Sequence, residues 1–309
     1  MFSFSFYFFY FLRILKKKKK TNLKSTNNMA ALKLTELVKL MRNIKVDGST
    51  TRFKEIVTDP SFNVNELDND GFHPLAVAAT HRRYYCADYF LRNCQNLNVN
   101  QRILNTGAAA LHLTIGDDHD ALRLLKLLIA DPRTKFMEDF SGGTPLHNAC
   151  MFGYLDAAKV LYTMEACKAN LNSATLERHT ALTQACIKGH PATVEWLMSL
   201  DGIDPNQKHP YHQEGKYADS FYVDLWSGPI STIELLVARS LALNKKIYVL
   251  NNLLEPGKCN LKSIKDGVKV AERLRENEGK NEIKAILERF LIKLINTTTT
   301  KPSCVIEKD

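Results

Sequence analysis

The chain has 309 residues, of which 45% are hydrophobic, and its formal net charge is +9. Seven of those nine net positive charges lie in residues 1–28, which leaves +2 for residues 29–309. A nucleic-acid binder keeps its basic residues on the folded face that meets phosphate, so this distribution argues against DNA or RNA as the partner. The length suits one or two ordinary domains or one elongated repeat array.

The seven cysteines indicate a reducing compartment. Their number is odd and the chain has no Cys-x-x-Cys pair, whereas small secreted proteins pair even numbers of cysteines in disulfide frameworks. We therefore expect free thiols in a cytoplasmic protein, with the nucleus as a further option.

Residues 1–28 begin with an apolar run, Met1 to Leu15, that is followed by five lysines. The run is shorter than the roughly 20 apolar residues that span a bilayer as a helix. A secretory signal carries its positive charge before the apolar stretch and a cleavage site after it, and this segment has neither. We interpret residues 1–28 as a disordered or apolar and basic leader, of the kind that untranslated sequence also encodes. The alternative is a membrane anchor, with residues 1–20 inserted and the lysines on anionic lipid.

Residues 32–66 have the pattern of a helical pair. Leu32 to Asn43 has helical periodicity, and Phe53 to Val57 resembles a second helix. An Asp-Pro turn at residues 58–65 closes the unit.

Between residues 68 and 206 one pattern recurs, in which a turn with Asn or Gly precedes a short apolar run. The runs begin at His73, Ala109, Thr144 and Thr180, at spacings of 36, 35 and 36 residues. Related phrases rich in Asp, Pro and Asn follow each unit, at residues 96–100, 131–133 and 201–206 among others. Recurrence at fixed spacing is much harder to obtain by chance than one match, so the chain is predicted to be a repeat protein.

The third of these runs, Thr144-Pro145-Leu146-His147 with Ala149 and Gly153, resembles the ankyrin repeat, whose signature is T-P-L-H-x-A at a period of about 33 residues. The resemblance is strong over residues 68–206 and weaker over the rest of 32–295. It implies an all-α solenoid of helix-turn-helix repeats with short hairpin loops and degenerate terminal repeats, with residues 29–240 as the array.

Local chemistry agrees with that architecture. Thr144 and Thr180 can cap the inner helices, and Pro145 stands in the first turn, where a missing N–H costs nothing. Gly153 and Gly189 suit the left-handed residue that ends a helix. Cys150 and Cys186 follow the core alanines, and we expect them to be small packed residues.

The C-terminal part departs from the pattern. A poorer sixth unit is placed at residues 215–237, with 228–236 as its second half, while 241–265 fit nothing cleanly. Asp266 to Ile295 reads as a helical pair divided at Gly279 or as one long helix, so residues 241–295 are predicted to be a degenerate repeat and a helical cap. Residues 296–309 are expected to be disordered.

No phosphate-binding loop, dinucleotide fingerprint, zinc helix or nucleophile elbow is present in the sequence. His112 and His147 occupy the histidine position of the repeat, where the ring normally bonds to the backbone of the adjoining hairpin, so we expect no metal site. His81, His119 and His190 are expected to be solvated, as is the acidic turn at 117–120.

Asn65, Asn100 and Asn206 end their repeats. Members of the ankyrin family can be hydroxylated at such asparagines, but we prefer to interpret each as a turn residue that bonds its own backbone.

The resemblance also implies where a partner binds, since ankyrin proteins use the concave inner-helix face and the hairpin tips. The apolar members of that surface carry extra weight, because aromatic and Met residues on an exposed face anchor interfaces. The candidate partner-binding residues are Asn69, Asp70, Phe72, His81, Asn105, Thr106, Asp117, Phe140, Ser141, Met151, Phe152, Leu176, Glu177, His179, Ile187 and Lys188.

The sequence thus predicts a non-catalytic protein–protein interaction scaffold without cofactor or metal, whose partner is another protein. The alternatives are a membrane-tethered scaffold and an enzyme or recognition subunit within residues 207–265. Partner identity and oligomeric state do not follow from the sequence, because fold does not fix function.

Overall fold

A computed structural model describes residues 29–42, 51–176, 179–207, 233, 243–254, 258–272 and 279–299. Over these residues the chain forms helices joined by turns, with one isolated antiparallel bridge between Ala174 and Thr180. The helices are α1 (Met29–Arg42), α2 (Thr51–Thr58), α3 (Pro74–Thr80), α4 (Tyr84–Asn93), α5 (Ala110–Leu113), α6 (His119–Ala130), α7 (Pro145–Phe152), α8 (Leu155–Leu161), α9 (Glu165–Ala169), α10 (Ala181–Lys188), α11 (Pro191–Ser199), α12 (Leu243–Leu254), α13 (Leu261–Glu272) and α14 (Lys280–Thr299). The predicted all-α fold is confirmed.

The predicted starts of the four inner helices are also confirmed. His73, Ala109, Thr144 and Thr180 are the N-cap residues of α3, α5, α7 and α10. The Thr144 side chain accepts a hydrogen bond from the backbone N–H of His147, and Pro145 occupies the first turn. These inner helices are short, and each buries at least one alanine, such as Ala149 in α7 and Ala185 in α10, which lets neighbouring repeats approach closely.

Each inner helix is followed by an outer helix, and the two sets pack as separate rows. Inner helices α3, α5, α7 and α10 contact one another in sequence order, as do outer helices α4, α6 and α8. One hydrophobic core runs between the rows, and its largest fully buried side chains include Phe53, Phe90, Leu125 and Leu161. Every repeat therefore buries its apolar face against its neighbours, as a solenoid requires.

The buried cysteines belong to this core. Cys150 and Cys186 are fully buried, which confirms the expectation that they are packing residues. Burial raises the pKa of both thiols, and it raises the pKa of Cys167 to about 12. Since the thiolate is the reactive form of cysteine, these three side chains are chemically inert.

A sixth unit follows α11 after a longer interval of chain. α12 packs against α11, and Asn252 Nδ2 donates to the Pro191 carbonyl at 3.1 Å. Lys258 Nζ donates to the Leu200 carbonyl at the end of α11, at 2.7 Å. α12 therefore takes the outer-helix position, although no clean match was expected between residues 241 and 265. The second half predicted at 228–236 lies outside the described residues except for Ile233, which is buried.

The ends of the array are helical pairs. α1 and α2 lie where the partial first repeat was predicted, and α1 contacts α3. At the other end α13 packs along α14, and Gly279 precedes α14 with a φ of +74°. The predicted leader at 1–28 and residues 300–309 of the tail lie outside the described residues. The expectation that residues 296–299 are disordered is wrong, because they continue α14.

Candidate protein-binding surface

Buried histidines join successive repeats from within. His112 Nε2 lies 3.1 Å from the Gly143 carbonyl, and His147 Nε2 lies 3.0 Å from the Ser173 carbonyl. The other ring nitrogen, Nδ1, accepts the N–H of Ala109 and of Thr144, each at 3.2 Å. Both nitrogens are therefore occupied by backbone groups, as expected from the repeat, and no lone pair remains for a metal ion.

His73 performs the same task from a different position. It is an N-cap residue, and its Nδ1 accepts the N–H of Ala76 at 3.4 Å. Its Nε2 lies 3.0 Å from the Gln101 carbonyl in the next repeat. Desolvation lowers the pKa of His73 and of His147 to about 4, and it also lowers the pKa of His112. All three rings are neutral at physiological pH.

A ladder of asparagine side chains joins the loops that follow the outer helices. Asn65 donates from Nδ2 to the Asn96 carbonyl at 2.7 Å, and its Oδ1 accepts the Asn98 N–H at 2.8 Å. Three further asparagines bridge in the same way. Asn100 bonds to Arg133 and Lys135, Asn172 to Gly202 and Asp204, and Asn206 to Lys258 and Asn260. The expectation that Asn65, Asn100 and Asn206 bond their own backbone is wrong, since each amide spans the next loop. Asn172 was not predicted.

The ladder is interrupted once. Asn65 and Asn172 stand eight residues before the N-caps His73 and Thr180, and Phe136 stands eight residues before Thr144. A phenylalanine side chain cannot bridge two backbone groups. Phe136 instead packs partly buried against the core and lines a cleft with Arg102 and Met137.

The hairpin tips present a row of exposed apolar side chains. Leu104 is 65% exposed, Phe140 58% and Leu176 72%. Their backbone N–H groups donate to the preceding hairpin, at the carbonyls of Gly71 (3.0 Å), Thr106 (2.8 Å) and Ser141 (2.8 Å). We call Leu104, Phe140 and Leu176 the tip row. It recurs once in each of three successive repeats, at intervals of 36 residues.

The Phe140 ring lies directly over Gly107, whose φ is +72°. A side chain at residue 107 would occupy the space of the ring, so this contact needs glycine for room as well as for its backbone conformation. The Arg102 guanidinium carbon lies 5.8 Å from the Phe140 ring centroid, within range of a cation–π contact. The backbone and this contact hold the ring in place, although more than half of it faces solvent.

The ends of the inner helices form a second set of residues. His81 caps α3, Met151 and Phe152 end α7, and Lys188 ends α10. Asp117 occupies the exposed turn after α5, beside Asp118, the N-cap residue of α6. We call His81, Asp117, Met151, Phe152 and Lys188 the inner-helix ends.

A model of the family described as ankyrin repeats matches residues 111–209, as three copies. Over residues 111–209 the predicted ankyrin repeats are therefore confirmed. A comparison with curated proteins gives no match to the chain. The ankyrin match includes the bridging residues His112, His147, Asn172 and Asn206, and Phe140 and Leu176 of the tip row.

Exposure divides the predicted partner-binding residues of the ankyrin array. Those exposed to solvent are Asn69, Asp70, Asp117, Phe140, Ser141, Leu176 and Lys188, and those partly buried are His81, Asn105, Thr106, Met151, Phe152 and His179. Phe72 and Ile187 are each only 7% exposed. The expectation that Ile187 is an exposed apolar residue is therefore wrong, because it packs inside the array. Glu177 lies outside the described residues.

Two further expectations need correction. His190 is partly buried, and its Nε2 lies 3.0 Å from the Met151 carbonyl of the preceding repeat. His81 is half-buried, and desolvation together with Arg42, Arg83 and Arg82 lowers its pKa to about 4. His119 is exposed, as expected.

The sequence did not single out Leu104, which is as exposed as Phe140. Its position before the longer turn at Asn105 to Gly107 concealed its equivalence to Phe140 and Leu176. The equal spacing of the three residues was the available signal.

Among the described residues, no helix is long and apolar enough to cross a membrane. Residues 1–20, where the alternative anchor was placed, lie outside that part of the chain.

Proposed function

We propose that this ankyrin array is a non-catalytic scaffold that binds a partner protein through the tip row and the inner-helix ends. Ankyrin repeats are general protein–protein interaction modules, and the fold supplies several equivalent, rigidly joined hairpins. The observation that carries the proposal is the tip row, since three large apolar side chains stand in water at the same place in successive repeats. Isolated exposed leucines are ordinary, but a regular row resembles the apolar centre of an interface.

Rigidity supports the same function. A surface that is fixed before binding loses less conformational entropy when the partner arrives. The backbone N–H groups of the tip residues donate to the preceding hairpin at 2.8 to 3.0 Å, and the histidines and asparagines bridge adjacent repeats. The six cysteines of the described residues are free thiols, which accords with the proposed cytoplasmic location.

Affinity capture with the full chain tests this function. Wild type is compared with a triple variant, Leu104→Ser, Phe140→Ser and Leu176→Ser, and with the control Tyr248→Ser. Tyr248 lies on outer helix α12 and is 54% exposed, close to the exposure of Phe140. The proposal predicts that the triple variant loses specific proteins that the control retains, with an unchanged thermal midpoint in both. Capture of the same proteins by all three chains would refute it.

A further inference from the structure

We propose that the partner segment is an amphipathic α-helix with apolar residues seven positions apart and basic residues beside them. It would lie along the tip row with its basic side toward the carboxylates at residues 117–120. This inference rests on the proposed function and names the chemistry of the partner that the surface fits.

The spacing of the tip row sets the first requirement. Each hairpin brings two chain segments side by side, and Leu104 N and Phe140 N bond directly to the hairpin before them. Hydrogen-bonded segments lie about 4.8 Å apart, so two segments per repeat place successive tips roughly 10 Å apart. Packed helices lie about 8–10 Å apart, so the helices of neighbouring repeats give about the same spacing between tips.

An α-helix matches this spacing on one face. Seven residues of helix rise about 10.5 Å and return to nearly the same side, so side chains seven apart can meet consecutive tips. An extended strand covers roughly 10 Å in three residues, but an odd step puts successive side chains on opposite faces. A strand could therefore use only alternate tips.

A polyproline helix also covers about 9 Å in three residues and keeps one face. Such segments dock in grooves lined by aromatic rings. The tip row holds one aromatic ring, Phe140, between two leucines. Two leucines and a phenylalanine in line are instead the kind of surface that the leucine-rich stripe of a helix covers.

Charge sets the second requirement. Asp117 and Asp118 are exposed in the turn after α5, the inner helix of the repeat that carries Leu104, and Asp120 is exposed in the first turn of α6. Arg82 Nε lies 3.5 Å from Asp118, and His119 Nδ1 lies 3.5 Å from Asp120. Among the residues that the structure describes, no cation is paired with Asp117. The turn is thus acidic beyond what its neighbours neutralise, which favours Lys or Arg on the partner.

Synthetic peptides test the inference on the full chain by fluorescence anisotropy. The main probe is a peptide of about twenty residues with Leu at every seventh position and Lys at the neighbouring helical positions, on an Ala and Gln background. One control has the same composition with the leucines five apart, and a second has Glu in place of Lys. A third is proline-rich with Leu at every third position.

We expect the main probe, with leucines seven apart and lysines beside them, to bind at least about ten-fold more tightly than each control. Each control loses either a central apolar contact or the charge complementarity. Phe140→Ser should weaken that binding about ten-fold, whereas Tyr248→Ser should not change it. Asp117→Asn should weaken the Lys peptide several-fold at low salt and not at high salt, because salt screens the charge pair.

Equal binding of the peptides with leucines seven and five apart would overturn the inference. Unchanged peptide binding by Phe140→Ser, or tightest binding of the proline-rich peptide, would also overturn it. If the triple tip variant still loses specific partners while every helical peptide fails, only the helical partner is refuted. If capture does not depend on the tip row, the proposed function itself fails.

Discussion

His147 Nε2 lies 3.0 Å from the Ser173 carbonyl, 26 residues along the chain, while its Nδ1 accepts the N–H of Thr144. The ring can make both bonds only when it is neutral. Protonation of Nδ1 would remove its lone pair and set two N–H groups against each other. The contact between the repeat that begins at Thr144 and the repeat that begins at Thr180 therefore depends on the charge of one side chain.

This dependence predicts that acid destabilises the array between pH 6.5 and 4. The pKa of His147 is about 4 in the folded chain and near 6.5 when unfolded, so the unfolded state binds the proton first and stability falls as pH drops through this window. At pH 5 the loss is about 2 kcal/mol for this histidine. Urea unfolding of wild type and of His147→Gln across the window measures it, and the variant should show a shallower slope.

His119→Gln is the matched control, since His119 is exposed. Its slope should equal that of wild type. An equal slope in His147→Gln as well would show that the ring is not what acid titrates.

Arg82 has a φ of +58°, the left-handed conformation that glycine holds at the end of α7 and α10. Its Nη1 donates to the Leu113 carbonyl at 2.8 Å, and its Nη2 donates to the Ile115 carbonyl at 3.2 Å. We expect Arg82→Gly to relieve about 1 kcal/mol of strain but to lose more from these charge-assisted bonds. Arg82→Ala loses the bonds and keeps the strain, so it should be about 1 kcal/mol less stable than Arg82→Gly. Equal stability of the two variants by urea unfolding would contradict the strain.

The asparagine ladder predicts a second loss of stability. Asn100→Ala leaves the Arg133 carbonyl and the Lys135 N–H without their side-chain partner, which should lower the free energy of unfolding by about 2 kcal/mol. Asn69→Ala serves as the control, because Asn69 is exposed on a hairpin tip, and its effect should stay within about 0.5 kcal/mol. A small effect at Asn100 would mean that water replaces the amide.

Much of the array could be predicted from sequence because its signals are local. The N-caps at Thr144 and Thr180 follow from a hydroxyl residue before a short apolar run, and Gly153 and Gly189 mark the helix ends. His112 and His147 were expected to bond an adjoining hairpin, and they do.

What could not be predicted is set by neighbouring repeats. Nothing local marks Arg82 as left-handed, because its compensating carbonyls lie 31 and 33 residues away. Isoleucine occurs at both buried and partly exposed positions of a helix, so the residue type alone did not show that Ile187 is only 7% exposed. The loop that Asn206 bridges to lies 52 to 54 residues away, well beyond the repeat period.

Gly107 offers a test of how the tip row is supported. Gly107→Ala introduces a methyl group where the Phe140 ring lies, at a φ of +72°, and should destabilise the array by more than the conformation alone. Gly202→Ala is the matched control, since Gly202 has a φ of +80° and open space around it. We expect about 1 kcal/mol for Gly202→Ala and a larger loss for Gly107→Ala by urea unfolding. Equal losses would show that the ring moves away freely.

The central claim, that the tip row serves binding rather than folding, is tested most directly by Phe140→Ser with thermal unfolding and partner capture measured on the same sample. The account predicts a midpoint within about 2 °C of wild type, the shift expected for an exposed side chain, together with loss of specifically captured partner. A fall of many degrees, or an unchanged midpoint with undiminished capture, would contradict it.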